Sequence, residues 1–457
     1  MTVVMKFGGT SVGGAEAMGR AADLVERALP DAPLVVLSAM SGATNALFEA
    51  AKKAESGDAA GSRTIQKELV AQHHACARAI FDGNVPEQLA TQLREHFEEL
   101  RVLLTGVYLL RELTPRNMDH IASTGEQLST RLFTAFLAHR GVDATWVDAR
   151  ALIRTDRRFG SARPSKDAIA ALAKDKLVPQ LGAGRAVVTQ GYIGSTEDGL
   201  TTTLGRGGSD FSAALFGAAL RAREVQIWTD VEGILTCDPR VVPEAETIPQ
   251  VAFAEAAELA AFGAKVLHPA TIQPAVEANI PVTVRHTAKP DGGYTLIQAE
   301  VTRTRAVTAL ASRGPVTVLT VHSTRMLAQS GFLARLFEVF GRLGVSVDLI
   351  ATAEISVSMT IEPGAPIAEL TEEISRFAEV EVANDRAIVA IVGASFRDTP
   401  GIARRVFGAL AELNVEMISM GANEINLSLV VRRDRANDAL RLLHKEFFEK
   451  DRPGARP

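Results

Sequence analysis

Cysteine is nearly absent from this chain: Cys76 and Cys237 are the two in 457 residues. That count excludes a disulfide framework and a cysteine-built zinc cluster. Aromatic side chains are sparse as well, 5% against 47% hydrophobic residues overall, so the cores must be built largely from Ala, Val and Leu. No apolar run approaches the roughly 18–20 residues that span a bilayer. The sequence opens directly on a strand pattern, without a basic and apolar leader, so the expected compartment is cytoplasmic. Positive charge is not in excess either. With 49 Lys and Arg against 54 Asp and Glu the net charge is −5, and the basic residues are scattered rather than striped. Neither nucleic acid nor membrane is an expected partner. What remains is a globular composition too long for one core, pointing to about two to four domains.

The most informative segment that is present reads VVMKFGGTSVGG, residues 3–14. An apolar strand fixes Lys6 at its end. Gly8 and Gly9 then let the backbone approach a ligand, and Thr10 and Ser11 supply hydroxyls and N–H groups at a helix start. Together they suit anionic oxygens, although an ordinary strand-to-helix turn uses the same residues. The order excludes two common nucleotide motifs. In a P-loop the lysine follows the glycines, and GGTSVGG lacks the GxGxxG spacing of a dinucleotide fold.

Residues 1–300 alternate short apolar runs with helical periodicity. Strands are expected at 3–7, 33–37, 186–190, 224–229 and 281–285, and helices at 15–28, within 60–100, and at 125–139, 167–176, 210–221 and 253–262. This rhythm predicts an α/β domain, a mostly parallel sheet sandwiched by helices with ligands outside the carboxyl ends of its strands. Beyond residue 300 an internal repeat appears. Residues 331–361 align without a gap to 401–431, an offset of 70. Val357, Met359 and Ile361 match Leu427, Leu429 and Val431 at period two, as half-buried strands should. Each copy reads as a βαββαβ ferredoxin-like unit. Copy two lacks a last strand of its own, which 306–312 could supply, so the units are expected to interlace. The predicted division is 1–300, 313–385, and 386–450 completed by 306–312. Asp348 of copy one falls opposite Ile418 of copy two, so an effector held by its charged ends belongs in copy one.

Five further segments carry candidate chemistry. In TTTLGRGGSDFSAAL (201–215) Arg206 stands between glycines, with Ser209 and Asp210 at a helix N-terminus that either could cap. A guanidinium there suits a carboxylate or phosphate. STGEQLST (123–130) puts Glu126 at an expected helix head, where the helix dipole or a substrate ammonium would account for it. SAMSGATNAL (38–47), with Thr44, reads as a polar loop. WTDVEGILTCDPRVV (228–242) places Thr229 and Asp230 at a strand end with Arg240 after a DP turn, and FGAKVLHP (262–269) adds Lys265.

Taken together, KFGGTS at 6–11, STGE at 123–126, GRGGSD at 205–210, WTD at 228–230 and FGAK at 262–265 resemble the amino acid kinase family. Within it, with a tandem βαββαβ tail similar to ACT domains, they look like aspartate kinases. VHSTRML, GFLARLF and VSVDLI are similar to the monofunctional lysine-sensitive type. The resemblance implies transfer of the ATP γ-phosphoryl group to the β-carboxylate of L-aspartate, feedback inhibition by lysine or alternatively threonine, and a homodimer or homotetramer. It implies Lys6 on the transferring group, Asp210 organising the lysines, and Gly8, Gly9 and Ser11 around phosphate oxygens. Thr44, Glu126, Arg206 and Ser209 would hold aspartate, and Thr229, Asp230, Arg240 and Lys265 the nucleotide. Met326, Phe332, Leu333, Ser346, Val347, Asp348, Thr352 and Glu354 match effector positions. Gln329 and Ala353 replace hydroxyl residues of that pattern, and Leu235 replaces a frequent tyrosine.

This chemistry needs no general base, because the aspartate β-carboxylate, with an unperturbed pKa of about 3.9, is already ionised at neutral pH. The barrier is the meeting of two anions, so lysines, N–H-rich turns and Mg²⁺ carried in by ATP are the expected apparatus, with no dedicated metal ligands. Two other readings use the same fold. A non-catalytic sensor would have lost charged site residues, and none is missing. A kinase for N-acetylated acids has no ammonium for Glu126 to pair.

Overall fold

The computed structural model describes residues 2–450 apart from 183, 264–268, 303–304, 328–329, 395, 397–398 and 422–423. The elements run β1 (Val3–Phe7), α1 (Ala15–Ala28), β2 (Leu34–Leu37), α2 (Ala43–Ser56), α3 (Ala59–Ile80), α4 (Glu87–Leu110), α5 (Pro115–His139), β3 (Asp143–Trp146), α6 (Lys166–Lys176), β4 (Arg185–Gln190), β5 (Ile193–Ser195), β6 (Thr201–Thr203), α7 (Gly208–Leu220) and β7 (Glu224–Thr229). There follow β8 (Gln250–Ala252), α8 (Phe253–Ala261), α9 (Pro269–Glu277), β9 (Val282–His286) and β10 (Tyr294–Gln298). The remainder is β11 (Val307–His322), α10 (Phe332–Arg342), β12 (Val347–Thr352), β13 (Ser356–Ile361), α11 (Ile367–Ser375), β14 (Glu379–Gly393), α12 (Ile402–Ala409), β15 (Met417–Met420), β16 (Asn426–Arg432) and α13 (Ala436–His444). Among the described residues no helix is long and apolar enough to cross a membrane.

Two compact units result. The first contains residues 1–234, 249–253 and 266–301. Its eight-stranded sheet runs β3-β4-β2-β1-β7-β9-β10-β8, parallel from β3 to β9 and antiparallel between β9 and β10. β1 is central because both neighbours pair with nearly its whole length. Alternation along β1 sets the direction of each side chain: Val3, Met5 and Phe7 enter the core formed with α1 to α5. Lys6 therefore projects from the opposite face, where α7 packs on β1.

The second unit contains 235–248, 254–265 and the chain from 302 onward. The first two segments join it for a packing reason: Cys237 and Val242 insert into the core of copy two, and Glu255 accepts a hydrogen bond from Thr308 at 2.7 Å. The six-stranded sheet runs β12-β13-β11-β14-β16-β15. β11 and β14 are continuous through both copies. Val316–His322 pairs with Glu379–Arg386 to complete copy one, while Val307–Arg313 pairs with Ile388–Gly393 to complete copy two. The units are thus interlaced, and the strand at 306–312 is the first half of β11. Val357, Met359 and Ile361 are buried in the copy-one core, Leu427, Leu429 and Val431 in that of copy two.

Candidate active site

The carboxyl ends of β1, β2 and β7 and the loops after β4 and β6 deliver the candidate residues to the first unit. Lys6, Ser38, Thr44, Asn45, Phe48, Glu126, Gly160, Tyr192, the turn Gly205–Gly208, Ser209 and Asp210 line one cleft of about 610 Å³. Lys6 and Arg206 therefore share an opening. The Lys6 ammonium lies 2.7 Å from the Asp210 carboxylate. That contact arises from β1 alternation and from Asp210 standing in the first turn of α7.

The capping expectation for Ser209 and Asp210 fails. Gly207, at φ 71°, precedes α7, and no side chain caps it, so both side chains are available to the cleft instead. Gly205 and Gly207 have φ of 79° and 71°, a left-handed conformation that favours glycine. Gly191 allows a close approach, since a Cβ there would lie 2.6 Å from Ser209 Cβ. Among the described residues Arg206 forms no ion pair, and its side chain is exposed to the cleft.

Glu126 is not at a helix head. Thr114 accepts the Asn117 N–H at 3.1 Å and Pro115 opens α5, so Glu126 sits in mid-helix, where the helix dipole gives it little. A Thr-Pro pair such as 114–115 is itself a sequence signal for a helix start. Gly125 brings α5 against the β2–α2 connection, since a Cβ there would lie 2.7 Å from Ala39 Cβ. That approach lets the Ala39 N–H donate to Glu126 Oε1 at 3.1 Å. Glu126 is 3% exposed, and its Oε2 has no hydrogen-bond partner. Burial pushes this carboxyl up to about 8, against the Ala39 bond, which favours ionisation. Residues 38–47 are not wholly a loop, since α2 begins at Ala43 and holds Thr44 in its first turn.

The nucleotide candidates are more dispersed. Gly8 donates its N–H to the Trp228 carbonyl at 3.2 Å, which sets the glycine turn beside Thr229 and Asp230 at the end of β7. Gly9 backs onto Ala39, where a Cβ would meet the carbonyl at 3.0 Å. Ser11 is buried, with its hydroxyl 2.6 Å from that of Thr287 and 3.3 Å from the Trp228 carbonyl, so it anchors the turn. Arg240 belongs to the second unit and is paired with Asp238 at 2.6 Å. Lys265 lies outside the described residues. Among those described, no group of three or more His, Cys, Asp or Glu gathers as for a metal ion.

Tyr192, Gly160, Asn45 and Phe48 belong to the cleft without any local sequence pattern to announce them. Tyr192 has φ 68°, unusual for a bulky residue. It is held there because its N–H donates to Ser212 Oγ at 3.0 Å and its carbonyl accepts from Leu204 N–H at 2.9 Å. Burial pushes its phenol up to about 12.

In the second unit the effector candidates gather around the start of α10 and along the edge strand β12. Met326, Phe332 and Val347 pack on the copy-one core, and Phe332 meets Phe377 edge-on at 5.9 Å. Leu333, Ser346, Thr352 and Glu354 are at least partly open to solvent. Asp348 is ion-paired with Arg313, which also reaches Glu362 at 3.2 Å. Gln329 lies outside the described residues.

A cleft at the carboxyl end of a parallel sheet, with a lysine–aspartate pair, an arginine turn and a buried carboxylate, offers a small molecule both cationic and acidic groups, an arrangement compatible with a small-molecule phosphotransferase. The amino acid kinase family matches residues 1–286, and an ACT domain matches 389–447. The lysine-sensitive aspartokinase 3 of Escherichia coli K12 is 42% identical, covering 98% of this chain and 99% of that protein. Structures of E. coli aspartokinase III with aspartate and ADP, and with lysine and aspartate, superpose with TM-scores of 0.83 and 0.82. These share 42% and 41% identity and cover 98% of this chain and 100% and 99% of theirs. The chain belongs to the aspartokinases of the amino acid kinase family.

Proposed function

We propose that this protein transfers the γ-phosphoryl group of ATP to the β-carboxylate of L-aspartate, giving 4-phospho-L-aspartate, the first step towards lysine, threonine and methionine. The observation that carries this reading is the pairing of groups in one cleft that have no ion-pair partner among the described residues: Glu126, buried without a cation, and Arg206, cationic without an anion. An α-ammonium and an α-carboxylate complement them, and Thr44 and Ser209 add hydroxyls. The β-carboxylate is then left to meet the phosphoryl group beside Lys6, whose charge offsets the anion–anion repulsion. Asp210 holds that ammonium in place. Gly8, Gly9, Thr229 and Asp230 serve the nucleotide, with Ser11 as anchor, while the roles of Arg240 and Lys265 rest on the resemblance alone. Magnesium enters as part of the MgATP substrate.

Residues 1–300 form the catalytic domain in this reading. Residues 313–385 form the effector-binding ACT domain, and 386–450 with 306–312 the second. Lysine binds at copy one through Asp348 and its neighbours, with threonine as the alternative effector. Exposed Ile350 on β12 and Ile418 and Met420 on β15 leave apolar edge strands for a second copy of the chain, hence a homodimer or homotetramer in the cytoplasm. The test is hydroxamate trapping of acyl phosphate with MgATP and aspartate, titrated with lysine and threonine separately and together. Turnover of N-acetylaspartate in preference to aspartate would defeat the reading.

A further inference from the structure

Asp119 stands in no recognisable sequence pattern, yet it is 1% exposed and carries a carboxylate. It lies two turns before Glu126 on α5. Its oxygens accept the Gly160 N–H at 3.0 and 2.9 Å, the Thr203 N–H at 2.9 Å and the Thr203 hydroxyl at 2.7 Å. All these donors are neutral. Burying a carboxylate on such terms is costly, and an apolar residue would fill the space without that cost.

What the contacts hold explains the choice. Thr203 ends β6, three residues before Arg206, and its carbonyl accepts from Ala162 N–H at 2.9 Å. Gly160 lines the cleft, and its carbonyl would lie 3.2 Å from a Cβ on Gly205. The turn that carries Arg206 has glycine on both sides and no side-chain anchor of its own. Its height above the cleft floor is set by its flanks: α7 on one side, Thr203 and Gly160 on the other. We propose that Asp119 is a positioning residue for substrate binding, a brace that clamps Thr203 and Gly160 and so fixes the Arg206 guanidinium where the amino-acid carboxylate arrives. The role of Arg206 in this statement rests on the function proposed above.

Asparagine keeps one acceptor oxygen but turns an NH₂ towards an N–H donor. Asp119→Asn should therefore raise the KM for aspartate about tenfold to a hundredfold, the cost of a misplacement of about an ångström. The KM for ATP should stay within about twofold. In an Arg206→Ala background the same substitution should raise the aspartate KM by less than about twofold, because the group it positions is gone. Equal shifts in both KM values, or full multiplication of the two effects, overturns the proposal. Thr203→Val, which keeps the backbone N–H on Asp119, should give the same asymmetric shift, reduced, if the asparagine variant does not fold. A readout independent of substrate is trypsin cleavage after Arg206, followed by mass spectrometry on the folded chain. Cleavage there should accelerate in Asp119→Asn relative to other sites, and unchanged cleavage overturns the brace. Failure of the wild-type chain to phosphorylate aspartate, with accelerated cleavage in the variant, defeats the substrate reading and leaves the brace standing.

Discussion

Glu126 in the first unit and Asp348 in the second are both carboxylates proposed to receive an amino-acid ammonium, and the chain surrounds them in opposite ways. Among the described residues, Glu126 is enclosed with the Ala39 N–H and no ion-pair partner. Asp348, on an edge strand, already holds the Arg313 guanidinium. In the proposed reading the cleft thus keeps a place for a substrate ammonium, and burial, which raises this carboxyl to about 8, keeps it mostly protonated near neutral pH until a cation arrives. In the same reading the regulatory edge begins from an ion pair, so an effector ammonium at Asp348 would compete with the Arg313 guanidinium, which suits reversible inhibition. The position of Asp348 in copy two is Ile418, 46% exposed, so that competition is confined to one of two otherwise matching folds.

Removing the cation that works in the cleft should have the largest effect. Lys6→Ala is expected to lower kcat by about a thousandfold, the scale for deleting one preorganised electrostatic group. Far-UV circular dichroism should remain that of the native chain. Acyl-phosphate formation at near wild-type rate in this variant would remove Lys6 from the chemistry.

Next in size is Glu126→Gln, which separates binding from stability. The amide still accepts the Ala39 N–H but offers no charge to an ammonium. The aspartate KM should rise about a hundredfold, in keeping with loss of a buried charge pair. The melting temperature should hold near neutral pH, where the buried carboxyl keeps its proton, and rise relative to wild type above a pH of about 8, where the amide avoids the cost of an ionised buried carboxylate. A falling melting temperature with an unaltered KM would make Glu126 a structural residue.

The difference between the two sites also explains what can be read from the sequence. Strand positions in the first unit, the 70-residue repeat and the interlacing of the two copies are legible because apolar periodicity and a gapless alignment report them directly. Lys6, Arg206 and Asp210 are legible because their neighbours are glycines or a strand end. Glu126 is legible as a residue but not in its setting, which comes from Gly125 packing on Ala39 rather than from a helix head. Asp119 and Tyr192 are invisible because their partners lie at 160, 203, 204 and 212, mostly backbone groups that no side-chain pattern announces. The Arg313 partner of Asp348 depends on β11 and β12 folding into one sheet, a tertiary fact.

At the regulatory edge, Asp348→Ala should raise the lysine concentration for half-inhibition about tenfold or more, the loss of one charge-assisted hydrogen bond. The uninhibited kcat should stay within about twofold. Unchanged sensitivity, measured by the same trapping assay, would move the effector away from β12.

The smallest expected effect is a pH dependence that belongs to the first site alone. In the folded chain the Glu126 carboxyl lies at about 8, above its ordinary value of about 4.3. Between those values the native state binds a proton that the unfolded chain has released. The associated stability is therefore complete on the acid side and is lost as pH rises through about 8. Binding runs the other way, because an ammonium pairs with the ionised form. kcat/KM for aspartate should climb about tenfold between pH 7 and 9, as expected for one free-enzyme group titrating near 8. Glu126→Gln should flatten that rise while leaving the pH dependence of ATP binding alone. A flat wild-type profile would mean that the carboxylate is ionised throughout, as it would be beside a cation in the cleft, and the contrast with Asp348 would vanish.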